Sequence, residues 1–218
     1  KLATGISKEI NNFNIERRSV DRLITTEAMR MISEDQRTGN AKTTVLYNPA
    51  WKKGVIGIVA SRLIETYYRP TVILTESNGF ATGSARSVQG YDLYQAIEAC
   101  SDLLESFGGH MFAAGLTLKK ENIQPFIERF EQYVNSTITE DQLLPRVFID
   151  TELSFSEINE EFFRVMSQFQ PFGPENMSPV FVSRNIFDCG SGRMVGPNGE
   201  HLKLDLCQES TGIRTFPA

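Results

Sequence analysis

Between Phe107 and Leu116 the chain reads Gly108-Gly109-His110-Met111-Phe112-Ala113-Ala114-Gly115. Paired glycines let a backbone approach a ligand closely and expose its N–H groups. The Ala-Ala-Gly run permits tight packing, and His110 can donate a hydrogen bond to an anion. The same run also reads as a helix C-cap followed by a close-packed strand with a satisfied histidine. Spacing alone leaves both readings open. Upstream, Leu93, Ala96, Ile97, Cys100, Leu103, Leu104 and Phe107 fall at helical intervals behind Asp92, a good N-cap, so the pattern predicts a helix that Gly108-Gly109 terminates. Downstream, Ala113 to Leu118 reads as a strand. Ile123, Phe126, Ile127, Phe130 and Val134 then mark a helix, with Pro125 tolerated in its first turn.

Further out, Ile10, Phe13, Val20, Leu23, Ile24 and Met31 recur at three- and four-residue steps through a stretch rich in charge, which predicts one long amphipathic helix ended by Gly39-Asn40. Thr43 to Tyr47 reads as a strand. Ile56, Val59, Ala60, Leu63, Ile64 and Tyr67 form the apolar face of a helix closed by Arg69-Pro70. Thr71 to Leu74 and Phe80 to Thr82 flank the turn residues Ser77-Asn78-Gly79 and read as a hairpin. Residues 137 to 145 are polar and acidic without an apolar period, the signature of a linker. Beyond it come a strand at Val147-Phe148-Ile149, a short helix behind Ser156, and short strands at Val180 to Val182, Ile186-Phe187, Arg193 to Val195 and Leu202 to Leu206. Gly190, Gly192 and Pro197-Asn198-Gly199 punctuate them, as in a small barrel or sandwich.

The 218 residues are enough for one or two cores, and no apolar run approaches the ~18 residues of a membrane span. The expectation is a soluble chain with no membrane partner. Cys100, Cys189 and Cys207 are odd in number and lack CxxC spacing, so neither a disulfide framework nor a zinc ribbon is expected, and a reducing cytoplasm fits. Charge is balanced over residues 40–135, with nine basic and nine acidic. Over residues 136–218 it is six against twelve, or -6, and the whole chain carries -5. Bulk attraction to nucleic acid therefore has no basis in composition, and any phosphate site must be local.

Three stretches carry candidate binding groups. Besides Gly108, Gly109 and His110, Gly83-Ser84-Ala85-Arg86-Ser87 offers two hydroxyls beside a guanidinium fork, the donors a phosphodiester needs; a solvated surface arginine is the bland alternative. Trp51-Lys52-Lys53 precedes a helix and can stack on a base and hold a phosphate, or Trp51 can plug the core. Only His110 and His201 are present as histidines, so no two-metal centre is visible. No nucleophile elbow, Gly-Lys-Ser/Thr loop or dinucleotide fingerprint occurs.

Gly54 to Arg62, Gly83 to Ser87, Tyr91-Asp92-Leu93 and above all the Gly-Gly-His-x-x-Ala-Ala-Gly run resemble the RecJ-type single-stranded-DNA exonucleases of the DHH phosphoesterase superfamily. Pro171 to Asn176 followed by Pro179-Val180-Phe181 is similar to the segment leading into their OB-like domain, with Glu175 and Met177 departing from it. The resemblance implies an α/β fold: a connecting helix over residues 1–39, a mixed-sheet DHH-associated domain over 40–138, and a β-rich OB-like domain over 139–218. It implies that Ser84, Arg86, Ser87, Gly108, Gly109 and His110 hold the DNA backbone. The Mn²⁺ or Mg²⁺ ions and catalytic residues would lie in an N-terminal domain upstream. Helicase or single-strand-binding proteins would be partners. Weaker nucleic-acid candidates are Trp51, Lys52, Lys53, Arg184, Arg193, Lys203 and Phe187. A stand-alone binding module and a DHH phosphodiesterase of short oligonucleotides are the alternatives; the second lacks an OB-like extension.

Overall fold

The computed structural model describes residues 2–35, 41–173, 175–208 and 216–217. They fall into two compact units, Lys1–Pro145 and Arg146–Ala218. In the first, helix α1 (Leu2–Glu34) precedes strand β1 (Thr44–Tyr47), helix α2 (Ile56–Tyr67), strands β2 (Thr71–Ser77) and β3 (Phe80–Arg86), helix α3 (Leu93–Glu98), strands β4 (Leu104–His110) and β5 (Ala113–Leu118), and helix α4 (Ile123–Thr137).

The sheet has the order β1-β2-β3-β5-β4, with β1 parallel to β2 and the other pairs antiparallel. Asn78 and Gly79 both take positive φ, 52° and 83°, so the β2–β3 hairpin closes through the two-residue turn that matches strand twist. Alternation along each strand feeds two cores. Val72, Leu74, Ala81, Ala85, Ala114, Leu116 and Leu118 face α3 and α4. Leu46 and Ile73 face α2 and the second half of α1 on the opposite side. Asp92 caps α3, accepting from the N–H groups of Tyr94 and Gln95 at 3.0 and 3.3 Å.

Several sequence expectations are corrected. The helix expected up to Phe107 stops at Glu98, and after a 3₁₀ turn at Ser101–Leu103 the chain runs as β4. Gly108-Gly109 therefore lies in a strand and caps no helix. On α1 the packed positions are Ile24, Ala28 and Ile32, while Ile10, Phe13 and Leu23 are exposed. The expected stop at Gly39-Asn40 lies outside the described residues. The acidic stretch after α4 packs onto its own unit: Ile138 is buried, Leu143 touches the core, and Thr139 and Gln142 form a capping box.

In the second unit the strand expected at Val147 to Ile149 is displaced to β6 (Thr151–Glu152), and Val147 and Phe148 are exposed. Helix α5 (Glu160–Met166) is capped by Asn159, not Ser156. There follow β7 (Phe181–Val182), β8 (Ile186–Asp188), β9 (Arg193–Val195), β10 (His201–Lys203), β11 (Asp205–Gln208) and β12 (Phe216–Pro217). They form small sheets β6–β7, β9–β10 and β8–β11–β12. Cys189 and Cys207, for which the sequence suggested no pairing, stand side by side with their Cα atoms 5.9 Å apart, a spacing at which a disulfide can form. They meet because β8 and β11 pair and the Cys189 N–H donates to the Asp205 carbonyl beside them. Cys100 is free and buried.

Candidate nucleic-acid interface

Register brings together two motifs that are far apart in sequence. Arg86 of β3 and His110 of β4 both pair with Ala113 of β5. Directly paired residues share a face, so Arg86 and His110 lie in one cross-strand row, two strand spacings or about 10 Å apart. In the next row Ser84 and Gly108 pair with Gly115. The loop after β3 fastens the β4–β5 turn: the N–H groups of Ser87 and Leu93 donate to the carbonyls of Phe112 and Met111 at 3.0 and 3.1 Å. Gly109 must be glycine. Its φ is 153°, and a Cβ there would sit 2.3 Å from the Ala113 carbonyl oxygen.

Arg86 is half-buried, and among the described residues it has no carboxylate partner. Its Nη1 donates to Ser84 Oγ at 3.0 Å and to the Ala85 carbonyl at 2.8 Å. The first turn of α2 lies against it, since a Cβ on Gly57 would meet Arg86 Nη2 at 2.9 Å and Ser84 Oγ at 3.0 Å. That helix begins with no acidic residue in its first turn and no side-chain cap on Val55. Unsatisfied helix N–H groups and an unpaired guanidinium thus converge on one spot, which favours an anion. In the same row, exposed His110 accepts from the Phe112 N–H at Nδ1, 3.2 Å away, so a neutral ring carries its proton on Nε2.

Of the residues singled out by sequence, Ser84, Arg86, Gly108, Gly109 and His110 are gathered here. Ser87 adjoins them, but its hydroxyl donates to the Tyr91 carbonyl at 2.7 Å and its N–H to Phe112, so it serves to hold the loop. Trp51 is corrected: it is buried in the core, and its indole N–H donates to Glu27 at 2.8 Å, which leaves no face for a base. Lys52 and Lys53 are exposed at the entrance to α2. Arg62, also in the Gly54–Arg62 motif, is structural, binding Asp21 at 2.8 Å to join α2 to α1. In the second unit Arg184 is paired with Glu152 at 3.0 Å. Arg193 and Lys203 are exposed and directly opposite each other, and Phe187 is half-exposed. Among the described residues no group of three or more His, Cys, Asp or Glu is placed to hold a metal ion. No helix among them is long and apolar enough to cross a membrane.

The position of Gly57 carried a signal that sequence reading passed over. A glycine one residue into a helix is unfavourable unless something packs on it, and here that is the Arg86 head group.

The DHHA1 domain family model matches residues 40–136, and that of the RecJ OB domain matches residues 149–218. The chain is homologous to the C-terminal part of RecJ. Single-stranded-DNA-specific exonuclease RecJ of Bacillus subtilis is 34% identical over 214 residues, which cover 97% of this chain and 27% of that protein. The crystal structure of Thermus thermophilus RecJ in complex with Mg²⁺ matches with a TM-score of 0.74 at 27% identity, over 91% of this chain and 30% of that one. An exonuclease RecJ bound to manganese matches at 0.55 and 28%, over 63% of this chain and 33% of that one. The chain thus spans about a third or less of the length of these RecJ proteins. The α/β sheet that carries the Arg86–His110 row lies within the DHHA1 match, and the small sheets of the second unit lie within the RecJ OB match.

Proposed function

We propose that this chain is the strand-holding part of a RecJ-type exonuclease that hydrolyses single-stranded DNA from its 5′ end. The observation that carries the reading is the shared row of Arg86 and His110, with the unpaired guanidinium set against the uncapped start of α2. A backbone phosphate seated there receives the Arg86 fork, the Ser84 hydroxyl and the helix N–H groups from one side, and the His110 Nε2–H from the other. These donors neutralise one phosphate and fix the strand, so binding energy goes into orientation.

The Mn²⁺ or Mg²⁺ ions found with RecJ structures would be held by residues outside this chain, where they activate water and stabilise charge on phosphorus. Residues 1–39 are assigned to a connecting helix, and the boundary between the DHH-associated and OB-like domains is moved from 138/139 to 145/146, because Leu143 and Gln142 pack on the first unit. We place the activity in cytoplasmic DNA repair and recombination, with helicase or single-strand-binding proteins supplying the substrate. Arg193, Lys203 and Phe187 are secondary contacts for the strand in the OB-like unit.

The test uses the longer RecJ protein with Arg86→Ala and His110→Ala. Each is expected to lower kcat/KM on single-stranded DNA by tenfold or more, the cost of one charge-assisted hydrogen bond being about 1.5–3 kcal/mol. Unchanged values for both variants would remove the phosphate cradle. The 218-residue chain alone, given Mn²⁺, is expected not to degrade DNA, and robust degradation would contradict the placement of the metal ions elsewhere.

A further inference from the structure

The face that carries Arg86 and His110 continues past the row of Ser84, Gly115 and Gly108 into a third row made of Thr82, Thr117 and Ser106. All three residues there bear hydroxyls. Among the described residues none of these hydroxyls makes a hydrogen bond, and Ser106 is exposed. The middle row is bare: a Cβ on Gly108 would meet nothing within 4 Å, and one on Gly115 only a carbonyl oxygen at 3.9 Å. Neither takes a positive φ. Packing and backbone conformation therefore do not require glycine at these two positions, although a ligand lying flat across the sheet does. Cations border the third row as well. Thr75, paired with Thr82, donates its hydroxyl to the Trp51 carbonyl at 2.6 Å, which holds the exposed Lys52-Lys53 turn beside that end of the sheet. No carboxylate occurs in the three rows.

We infer that this third row, with Lys52 and Lys53, is a second phosphate rung for the same strand, and that the glycine floor between the rungs seats a sugar. The inference rests on the proposed role of the Arg86–His110 row and extends it to a polynucleotide. Four residues along β3 separate the rungs, about 14 Å at strand spacing. That is about four times the 3.4 Å rise per nucleotide of a stacked strand. One phosphate cannot reach both rungs, whereas a short oligonucleotide can. The occupant is a phosphodiester strand because the rung offers neutral hydroxyl donors with flanking ammonium groups and no apolar surface.

The experiment titrates the ¹⁵N-labelled 218-residue chain with 5′-phosphorylated thymidine oligonucleotides of about one to six nucleotides, since about five phosphates at the stacked rise are needed to span both rungs, and follows amide shifts and affinity. The mononucleotide is expected to shift Ser84, Arg86 and His110. Longer oligomers should extend the shifts to Thr82, Ser106 and Thr117 and bind about tenfold more tightly, the worth of a hydrogen bond to a charged group. The combined variant Thr82→Val, Ser106→Ala, Thr117→Val should lose that gain and keep mononucleotide affinity. These hydroxyls are unbonded and the replacements suit strands, so folding should hold. Gly115→Val, which fills the floor, should also weaken oligomers more than the mononucleotide. A combined variant that keeps the whole gain with length would overturn the second rung and leave the first intact. A mononucleotide that shifts none of Ser84, Arg86 and His110 would overturn the first rung, and with it the second.

Discussion

Replacing Gly57 with alanine sets helix stability against phosphate binding, and the two should move in opposite directions. The new Cβ would sit 2.9 Å from Nη2 of Arg86 and 3.0 Å from Oγ of Ser84, where ordinary contact begins at 3.4 Å. The two gaps are closed most cheaply by the side chains: the free end of the arginine must withdraw by about half an ångström, and the Ser84 hydroxyl must rotate away or give by about 0.4 Å. The backbone of α2 stays where it is. Alanine is the better helix residue by up to about 1 kcal/mol, so thermal unfolding should move upward or not at all. A guanidinium pushed away from Ser84 and from the α2 N–H groups no longer presents its fork to a phosphate. A charge-assisted hydrogen bond is worth about 1.5–3 kcal/mol, and losing the alignment of one predicts about a tenfold weaker affinity for a 5′-phosphorylated thymidine oligonucleotide. Fluorescence anisotropy at one fixed salt concentration reads the affinity, and a thermal melt reads the stability. Gly54→Ala is the control, because a Cβ there meets nothing within 4 Å. A Gly57→Ala chain that binds within twofold of the parent would show that Arg86 need not hold this position. A melting point several degrees lower would show that the helix, and not the side chain, gives way.

Three other perturbations test separate parts of the construction. Cys100 is fully buried, and burial pushes its thiol from 9.0 up to about 11, so the unfolded chain loses this proton at lower pH than the folded one. Stability should therefore fall as pH rises from 9 to 11, and denaturant titrations of Cys100→Ala should show a flatter profile over that range. Asp92→Ala removes the cap that accepts from Tyr94 and Gln95 and should cost about 1 kcal/mol in urea unfolding; an unchanged urea midpoint would show that the cap adds nothing to α3. Lys203 lies directly across from Arg193 in the β9–β10 hairpin, and like charges so placed repel. Lys203→Thr should raise the thermal midpoint slightly while weakening oligonucleotide binding in a salt-dependent way; a gain in stability with unchanged binding would show that the pair contacts no phosphate.

The one large secondary-structure error has a local cause. Leu104 pairs with Leu118 and Phe107 with Leu116, so both face the core, although an undistorted strand would place residues three apart on opposite faces. The bulge between Leu104 and Ser106 inserts the extra residue that restores them to one side. A bulged strand then shows the i, i+3 spacing of a helix, and the glycine pair after it imitates a C-cap. The long helices and the β2–β3 hairpin were legible because their periods are unbroken and the Asn78-Gly79 turn has one geometry.

The site was half legible for a related reason. Thr82, Ser84 and Arg86 alternate along one strand, as do Ala113, Gly115 and Thr117 along another and Ser106, Gly108 and His110 along a third. Each alternation is visible in sequence, yet a face exists only once register aligns the three, and register is set by the bulge and by the Ser87–Phe112 and Leu93–Met111 hydrogen bonds. Composition pointed the other way, toward an acidic chain with little attraction for DNA. Electrostatic attraction at a bound phosphate is decided within a few ångströms, however, and over these rows the only formal charge is Arg86 with no acid to neutralise it. The excess of acid lies beyond residue 135, so it can lower the salt-dependent attraction of the chain as a whole while leaving the local preference of the Arg86 row for an anion intact.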